Sequence, residues 1–320
     1  MPSIITHHFF ADEVMERMPF QVQNKINKKI YHIFAQSFDN LFYYKFLTPW
    51  QGANIRKLGN EAQDKKVNYY FKNILEYIKK ENLKQNKEVL SYLYGSICHY
   101  VLDYRCHPFI IYYTGIPSIN IKYRGLHEKM EVNIDAYLYK KKTGQELKKA
   151  NLANKLLPKT SFSKELENTI NYVFKKTFNI SNMGTIYKQS VQTGNFLLKY
   201  FVTDKTGLKK RLYAMKDLLM KQSKRRYEFL SFHVNAIYPE YLNETHETWV
   251  YPAAKEKTSN ASFLELYEGS LKEACNIIEN IEKYLNNEIT ETEVLKVIGD
   301  NSYSTGLPLN RKRSSKYFKY

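Results

Sequence analysis

The chain consists mostly of long stretches in which apolar residues return every three to four positions, which is the period of an amphipathic helix. Glycine and proline are scarce, at 12 and 9 of 320 residues, so few turns separate these stretches. The pattern predicts helices over residues 9–17, 22–36, 54–80, 86–106, 123–142, 163–176, 184–203, 206–230 and 262–285, the last with Ser262 as its N-cap. The sequence therefore predicts an all-α fold.

Two stretches depart from this pattern. Residues 40–52 are rich in aromatic side chains, and residues 231–261 predict an irregular region. We find no internal repeat and no flexible linker of the Gly/Ser type. We expect a single helical domain over residues 1–230, followed by a loop and C-terminal helices over 231–320 that pack on the same domain and end in a basic tail at 310–320.

The chain is strongly basic, with a formal net charge of +17 and a pI near 9.4. Basic residues concentrate in 209–226 and in the tail. The simpler explanation is a composition rich in Lys, Asn, Ile and Tyr. The alternative is a negatively charged partner, for which peripheral contact with an anionic membrane is a better candidate than nucleic acid.

Cysteine usage and the N-terminus bear on location. Cys98, Cys106 and Cys275 are an odd number without a disulfide spacing, which favours a reducing compartment. The first residues, MPSIITHHFFADEVMERMPF, lack a basic region followed by a long apolar run. No segment contains 18 consecutive apolar residues. We therefore expect a cytoplasmic protein without a signal peptide or a transmembrane helix.

The segment GSICHYVLDYRCHPFI, residues 95–110, places His99, Asp103 and His107 at intervals of four. On a helix these side chains share an arc of about 80°, and the two histidines lie about 12 Å apart along the axis. One metal cannot bind both, but a carboxylate midway could serve two metals. Pro108 predicts that the helix ends near Cys106. The alternative is a pair of hydrogen-bonded core histidines.

A second segment, GLHEKMEVNIDAYL (125–138), places His127 and Glu131 one helical turn apart, with Asp135 one turn further. His and Glu at this spacing can bind one metal together, although the segment is not an HExxH motif. Further candidates are His7 in THHFFADE and Asp39 in QSFDNLFYY. Because Asp39 lies in an aromatic setting, we expect its carboxylate to be buried next to a cation or to carry a proton.

Five segments, taken in order, resemble the zinc-dependent phospholipase C family. They are the TH pair near the start, FDNLFYY, LGNEAQDKKV, GSICHYVLDYRCHPFI and GLHEKMEVNID. That resemblance implies an all-helical domain with a zinc-binding cleft between helices and the hydrolysis of phosphodiester bonds. The same fold hosts trinuclear-zinc nucleases.

The resemblance also implies roles for individual residues. His99 and Asp103 would bind a close metal pair with Asp103 as the bridge, and Asp39 would bind one of these metals and accept a proton from the attacking water. His107, His127 and Glu131 would hold a further zinc, and His7 would be the N-terminal ligand, with His8 as its possible substitute. Asp135 would support the site, whereas His32, His233 and His246 would be structural or surface residues.

The sequence departs from the family at two places. Gln63 stands where the family has a histidine ligand, and residues 1–6 precede His7, whereas secreted relatives use a free N-terminal amine as a ligand. We therefore expect one to three zinc ions and a phospholipase C-like phosphodiesterase acting on a phosphodiester, with phospholipid as the first candidate. The alternatives are a nuclease or nucleotidase on the same scaffold and a metal-binding protein that has lost catalysis.

Overall fold

The computed structural model describes residues 4–220, 226–311 and 314–319. The all-α prediction is confirmed, since within these ranges the regular elements are helices and one short hairpin. The α-helices are α1 (Ile4–Arg17), α2 (Phe20–Gln23), α3 (Lys28–Phe34), α4 (Ala53–Ala62), α5 (Val67–Lys80), α6 (Lys87–Thr114), α7 (Leu126–Thr143), α8 (Ala153–Leu156), α9 (Lys164–Phe178), α10 (Met183–Leu197), α11 (Leu208–Leu219), α12 (Phe263–Leu285) and α13 (Glu291–Ile298). The hairpin pairs β1 (Trp249–Tyr251) with β2 (Ala254–Ser259) in antiparallel register.

Helix α6 is the centre of the molecule. Its side chains are buried on every face from Val89 to Ile111, apart from Arg105. A helix that is apolar all round must be covered on all sides, and α3, α12, α1 and α7 pack around it. The candidate residues on α6 therefore lie inside the core.

The end of α6 differs from the prediction. The helix continues through Pro108 to Thr114, so the expectation that it ends near Cys106 is wrong. An internal proline costs a helix about 3 kcal/mol, but here burial on every side outweighs that local preference. His107 consequently keeps its place on the helical arc of His99 and Asp103.

Gly95 allows α3 and α6 to approach closely. A Cβ at this position would lie 2.5 Å from the backbone oxygen of Tyr31 and 2.9 Å from the carbonyl carbon of Phe34. Real Cβ atoms do not approach backbone atoms so closely, so only glycine fits without a shift. His99 follows one turn later, beside the end of α3 and the 3₁₀ turn Ser37–Tyr43 that carries Asp39.

Other boundaries also differ. The predicted helix 54–80 is two helices, because residues 63–66 form a turn in which Lys66 has φ +57°. The irregular region 231–261 contains the hairpin, and α13 is an additional helix. The helix predicted over 262–285 is confirmed as α12, with a capping box between Ser262 and Glu265.

The two basic segments lie only partly within the described residues. Residues 221–225 of the first segment and 312, 313 and 320 of the tail are outside them. The described part of the tail packs on the protein, where the Lys316 amide donates to the Pro252 carbonyl at 2.7 Å and Phe318 contacts Tyr123. Among the described helices, none combines the length and the apolar character required to cross a membrane.

Candidate metal centre

The first cluster joins α1 to α6 and consists of His7, His99 and Asp103, here called the Asp103 group. His7 Nε2 lies 3.1 Å from Asp103 Oδ1, and His99 Nε2 lies 3.3 Å from Asp103 Oδ2. All three side chains are at least 99% buried. The two oxygens of Asp103 thus face different imidazoles, an arrangement that a bridging carboxylate requires.

Hydrogen bonds do not explain this burial. Within the described residues, both Asp103 oxygens and the ring nitrogens of His7 and His99 have no hydrogen-bond partner of good geometry. Buried polar atoms without hydrogen bonds cost free energy of folding. Side chains in this state are therefore candidates for binding a metal ion. A cation between the three side chains would satisfy the carboxylate and both imidazoles at once.

The electrostatics of the Asp103 group favour cation binding. Burial alone would raise the pKa of Asp103, but the neighbouring His99, His107 and His7 hold it at about 2. Burial lowers the pKa of His99 to about 3. At neutral pH the group therefore presents an ionised carboxylate and a neutral imidazole at His99, which are the protonation states that metal ligands need.

The second cluster joins α6 to α7 and consists of His107, His127 and Glu131, here called the Glu131 group. Glu131 Oε1 lies 2.8 Å from His127 Nε2 and 3.8 Å from His107 Nε2. Gly125, with φ +73°, begins α7 in a left-handed conformation just before His127. His127 remains 21% exposed, so this group has contact with solvent.

Charge and a backbone contact orient His107. Burial opposes a charged imidazole, but Asp103 and Glu131 raise the pKa of His107 to about 8. Its Nδ1 lies 3.2 Å from the Tyr303 carbonyl oxygen, to which it can donate, while Nε2 faces Glu131. Although burial opposes it, the nearby His127 and His107 hold the pKa of Glu131 well below its usual range. Backbone anchoring of one ring nitrogen is typical of metal-binding histidines.

Asp39 is buried beside the two groups but belongs to neither. Burial and the nearby Asp103 raise the pKa of Asp39 to about 6. Gln63 Nε2 donates to Asp39 Oδ1 at 2.7 Å, while Asp39 Oδ2 lacks a hydrogen-bond partner within the described part of the chain. Gln63 therefore lies next to Asp39, close to the two groups.

Asp135 holds the N-terminus of α1 in place. Its carboxylate accepts hydrogen bonds from the Ile5 amide at 3.3 Å and from the Thr6 amide at 2.7 Å. It also accepts a bond from the Thr6 hydroxyl at 2.8 Å. An anion at a helix N-terminus satisfies free amides and the helix dipole. Asp135 is thus a buried support for the helix that carries His7.

The segment after α13 covers the centre. The Tyr303 amide donates to the Gln63 carbonyl at 3.1 Å, and the Tyr303 ring lies 5.6 Å from the His99 ring. Beside Asp103, His107 and Glu131 the remaining space is only about 20 Å³, room for about one water molecule. A phosphodiester that enters this space therefore needs the side chains around it to move.

A third cluster was missed by the sequence analysis. His8 and Asp12 on α1 meet His32 on α3. His32, which we expected to be a structural or surface residue, thus lies in a candidate metal group, whereas His233 and His246 lie outside all three groups. The spacing of His8 and Asp12 was visible in the sequence, but their proximity to α3 depends on tertiary packing.

Residues 6–183, more than half of the chain, match the zinc dependent phospholipase C family. The chain belongs to this family. The matched segment contains Asp39, Gln63 and every member of the Asp103 and Glu131 groups. No curated protein and no solved structure matches the chain.

The donor set fits the metal of this phospholipase C family. Both groups offer imidazole nitrogens and carboxylate oxygens without thiolates, a combination typical of catalytic rather than structural zinc sites. The Asp103 group also has the unpaired buried atoms that a cation would satisfy. The residues present could therefore bind zinc.

Proposed function

We propose that this protein is a zinc-dependent phosphodiesterase of phospholipase C type that hydrolyses a phospholipid. The observation that carries the proposal is the continuous row of ligand side chains along α6. Asp103 contacts His7 and His99, and His107 follows at 3.9 Å from Asp103 and leads to Glu131. Family membership supports zinc and phosphodiester chemistry for this row.

Zinc bound there would polarise phosphoryl oxygens and lower the pKa of bound water from 15.7 towards about 7. The protein's own groups have separate roles in this proposal. Asp39, whose pKa is about 6, accepts a proton near neutral pH. Gln63 orients the Asp39 carboxylate through its hydrogen bond, and the Tyr303 carbonyl orients His107.

Two other functions are alternatives. A nuclease or nucleotidase would use the same ligands, and the net charge of +17 favours an anionic polymer. A metal-binding protein without turnover is favoured by Gln63 and by the segment that covers the centre.

We also propose a cytoplasmic location, which the three free cysteines support.

The proposal is tested by metal analysis together with hydrolysis. Protein purified without a chelator should contain at least one tightly bound zinc ion, and two when zinc is added. The zinc-loaded protein should release a diacylglycerol from phospholipid in mixed micelles. Single-stranded nucleic acid as the preferred substrate would favour the nuclease. Bound zinc without hydrolysis of either substrate would favour the non-catalytic alternative, and a protein that stays without zinc on titration would overturn the proposal.

Asp103→Asn is the most informative variant. An amide cannot neutralise two cations, so we expect lower zinc content and a loss of hydrolysis while the helical circular dichroism is kept. The matched control is Asp204→Asn, which makes the same change at a buried aspartate outside the three groups and should keep the zinc. Wild-type zinc content and rate in Asp103→Asn would show that Asp103 is not a bridge.

A further inference from the structure

The third cluster, His8, Asp12 and His32, is here called the Asp12 group. His32 Nε2 lies 2.8 Å from Asp12 Oδ1, and His8 Nε2 lies 3.5 Å from Asp12 Oδ2. The two imidazole rings are 4.2 Å apart, centre to centre. Ligands at zinc bond lengths of about 2.0–2.1 Å in a tetrahedron are about 3.3 Å apart, so these side chains already have nearly the required spacing.

His8 provides an independent indication of a ligand. Its side chain is 98% buried, and neither ring nitrogen has a hydrogen-bond partner of good geometry among the residues described. The ion pair between Asp12 and His32 leaves this imidazole unexplained. A metal beside Asp12 would satisfy the His8 nitrogen that faces this carboxylate.

We propose that the Asp12 group binds a divalent transition metal such as Zn²⁺, separately from the centre on α6 and α7. Two imidazoles and one carboxylate suit first-row metals of this type. Asp12 is 28% exposed, so a metal can reach the group from solvent. Lys155 lies close enough to His8 and Asp12 to interact electrostatically with both side chains. Its positive charge opposes a dication, so this site is weaker than the main centre.

The test counts metal in variants of the Asp12 group. Protein stripped with a chelator is titrated with Zn²⁺ and with Co²⁺, and bound metal is measured after gel filtration. His32→Gln should bind one equivalent less than wild type, and the lost equivalent should belong to the weakest class. Asp12→Asn, which keeps the side-chain shape, should lose the same equivalent and covers the case in which His32→Gln does not fold.

The control is His246→Gln, which removes a histidine outside all three groups and should leave the metal count unchanged. If both variants of the Asp12 group bind as much metal as wild type, the cluster is an ion pair with a buried imidazole and the proposal is wrong. An equal loss in His246→Gln would also overturn it, because the missing metal would then be surface-bound.

A different observation concerns α11, which exposes its apolar side to solvent and turns its polar side towards the protein, the opposite of a normal surface helix. Its outward side carries Leu208, Leu212, Met215 and Leu219, each more than half exposed. At 100° per residue these four side chains share an arc of about 60°. We call this stripe the α11 face. Exposed apolar stripes of this kind mark an interaction surface.

The inward side of α11 is polar. Asp217 is buried and accepts hydrogen bonds from the Tyr227 amide at 2.9 Å and the Glu228 amide at 3.0 Å. Lys210 Nζ donates to the His233 carbonyl at 2.9 Å. These bonds fix the polar side against the protein, so the helix cannot turn its apolar residues inward without breaking them.

The charge around the α11 face indicates its partner. Arg211 and Lys216 are exposed and lie about 70° to either side of the stripe, whereas Asp217 is the only acidic residue of the helix and points inward. A helix with an apolar stripe between basic side chains is typical of contact with an anionic membrane.

The inward side of α11 is joined to the segment that leads into α7. Arg124 Nη2 donates to the Asp217 carbonyl at 3.2 Å, and Arg124 directly precedes the start of α7 with His127. Tyr213 on α11 donates to the Phe201 carbonyl at 2.9 Å, next to the exposed Phe196 and Phe201 rings. We propose that the α11 face docks on the surface of an anionic bilayer, a proposal that rests on the phospholipase function proposed above.

The test separates docking from catalysis. Leu212→Glu/Met215→Glu is compared with Phe20→Glu/Tyr69→Glu, which places the same charges at exposed apolar positions of other helices. Binding to phosphatidylcholine vesicles with and without phosphatidylserine is measured by sedimentation at low and physiological salt. We expect the α11 variant to bind anionic vesicles about tenfold more weakly than wild type or the control. Binding should fall as salt rises.

Hydrolysis of bis(p-nitrophenyl) phosphate is measured in parallel. Binding to anionic vesicles without hydrolysis would support the docking proposal and contradict the proposed phosphodiesterase activity. Hydrolysis without selective binding to anionic vesicles would support the activity and contradict the docking proposal. Equal binding of the α11 variant and its control would overturn the docking proposal. A wild-type dimer that the α11 variant converts to a monomer would also overturn it, because the partner would then be a second copy.

Discussion

At the scale of single residues, Gln63 constrains Asp39, which lies beside the Asp103 group. Its amide nitrogen donates to Asp39, so one oxygen of this carboxylate is already occupied by a hydrogen bond. An amide oxygen is also a poorer zinc ligand than an imidazole nitrogen. The metal beside Asp39 should accordingly be held more weakly than the metal of the Glu131 group.

Gln63→His should strengthen the weaker metal. The histidine replaces the amide that donates to Asp39 with an imidazole nitrogen that can bind zinc. When a chelator removes the zinc, the release should therefore change from one fast and one slow phase to two slow phases. Phosphodiesterase activity should rise if the rest of the site is competent. Gln145→His, which adds a histidine at an exposed position, is the control. Unchanged release kinetics would show that residue 63 does not contact the metal.

The sequence predicted which residue types come together but not all of their contacts. Intervals of four along a helix placed His99, Asp103 and His107 on one side, and the structure keeps them there. The contact between His7 and Asp103 joins residues 96 positions apart, and only the family resemblance had placed His7 among the ligands. His32 was missed because nothing in the sequence near it points to α1.

At the scale of elements, periodicity predicted most helices, and packing decided where they end. Pro108 is the clearest case, since a local rule predicted an end that burial of α6 overrode. The close crossing of α3 and α6 is another feature that periodicity cannot predict. It depends on the missing side chain of Gly95.

Gly95→Ala should destabilise the fold by about 1–3 kcal/mol, although alanine usually favours a helix interior. The new Cβ meets backbone atoms of α3, which can move only as a whole helix. Gly269→Ala in α12 is the control, because its Cβ would meet only the end of the flexible Arg105 side chain. Urea unfolding measures both variants, and equal midpoints would show that the α3–α6 crossing is not tight.

At the scale of the whole molecule, the C-terminal part closes over a centre built by the first 183 residues. The family match ends before this part, so its position could not be inferred from the resemblance. Ser302 Oγ donates to Asp64 Oδ1 at 2.5 Å, and Ser304 Oγ donates to Asp64 Oδ2 at 2.8 Å. These bonds hold Tyr303 between them over Gln63 and His107.

Asp64→Ala should therefore open the cover without touching a ligand. Hydrogen bonds to a carboxylate contribute about 1.5–3 kcal/mol, and about 1.4 kcal/mol corresponds to a factor of ten. We expect zinc release to a chelator to accelerate about tenfold, and hydrolysis of a small phosphodiester to increase where entry limits the rate. Thr290→Ala is the control, because it removes the N-cap of α13 at a cost of about 1 kcal/mol but leaves the serine contacts intact. Equal acceleration in both variants would indicate general destabilisation, whereas acceleration in Asp64→Ala alone would identify the segment around Tyr303 as the barrier between solvent and the Asp103 group.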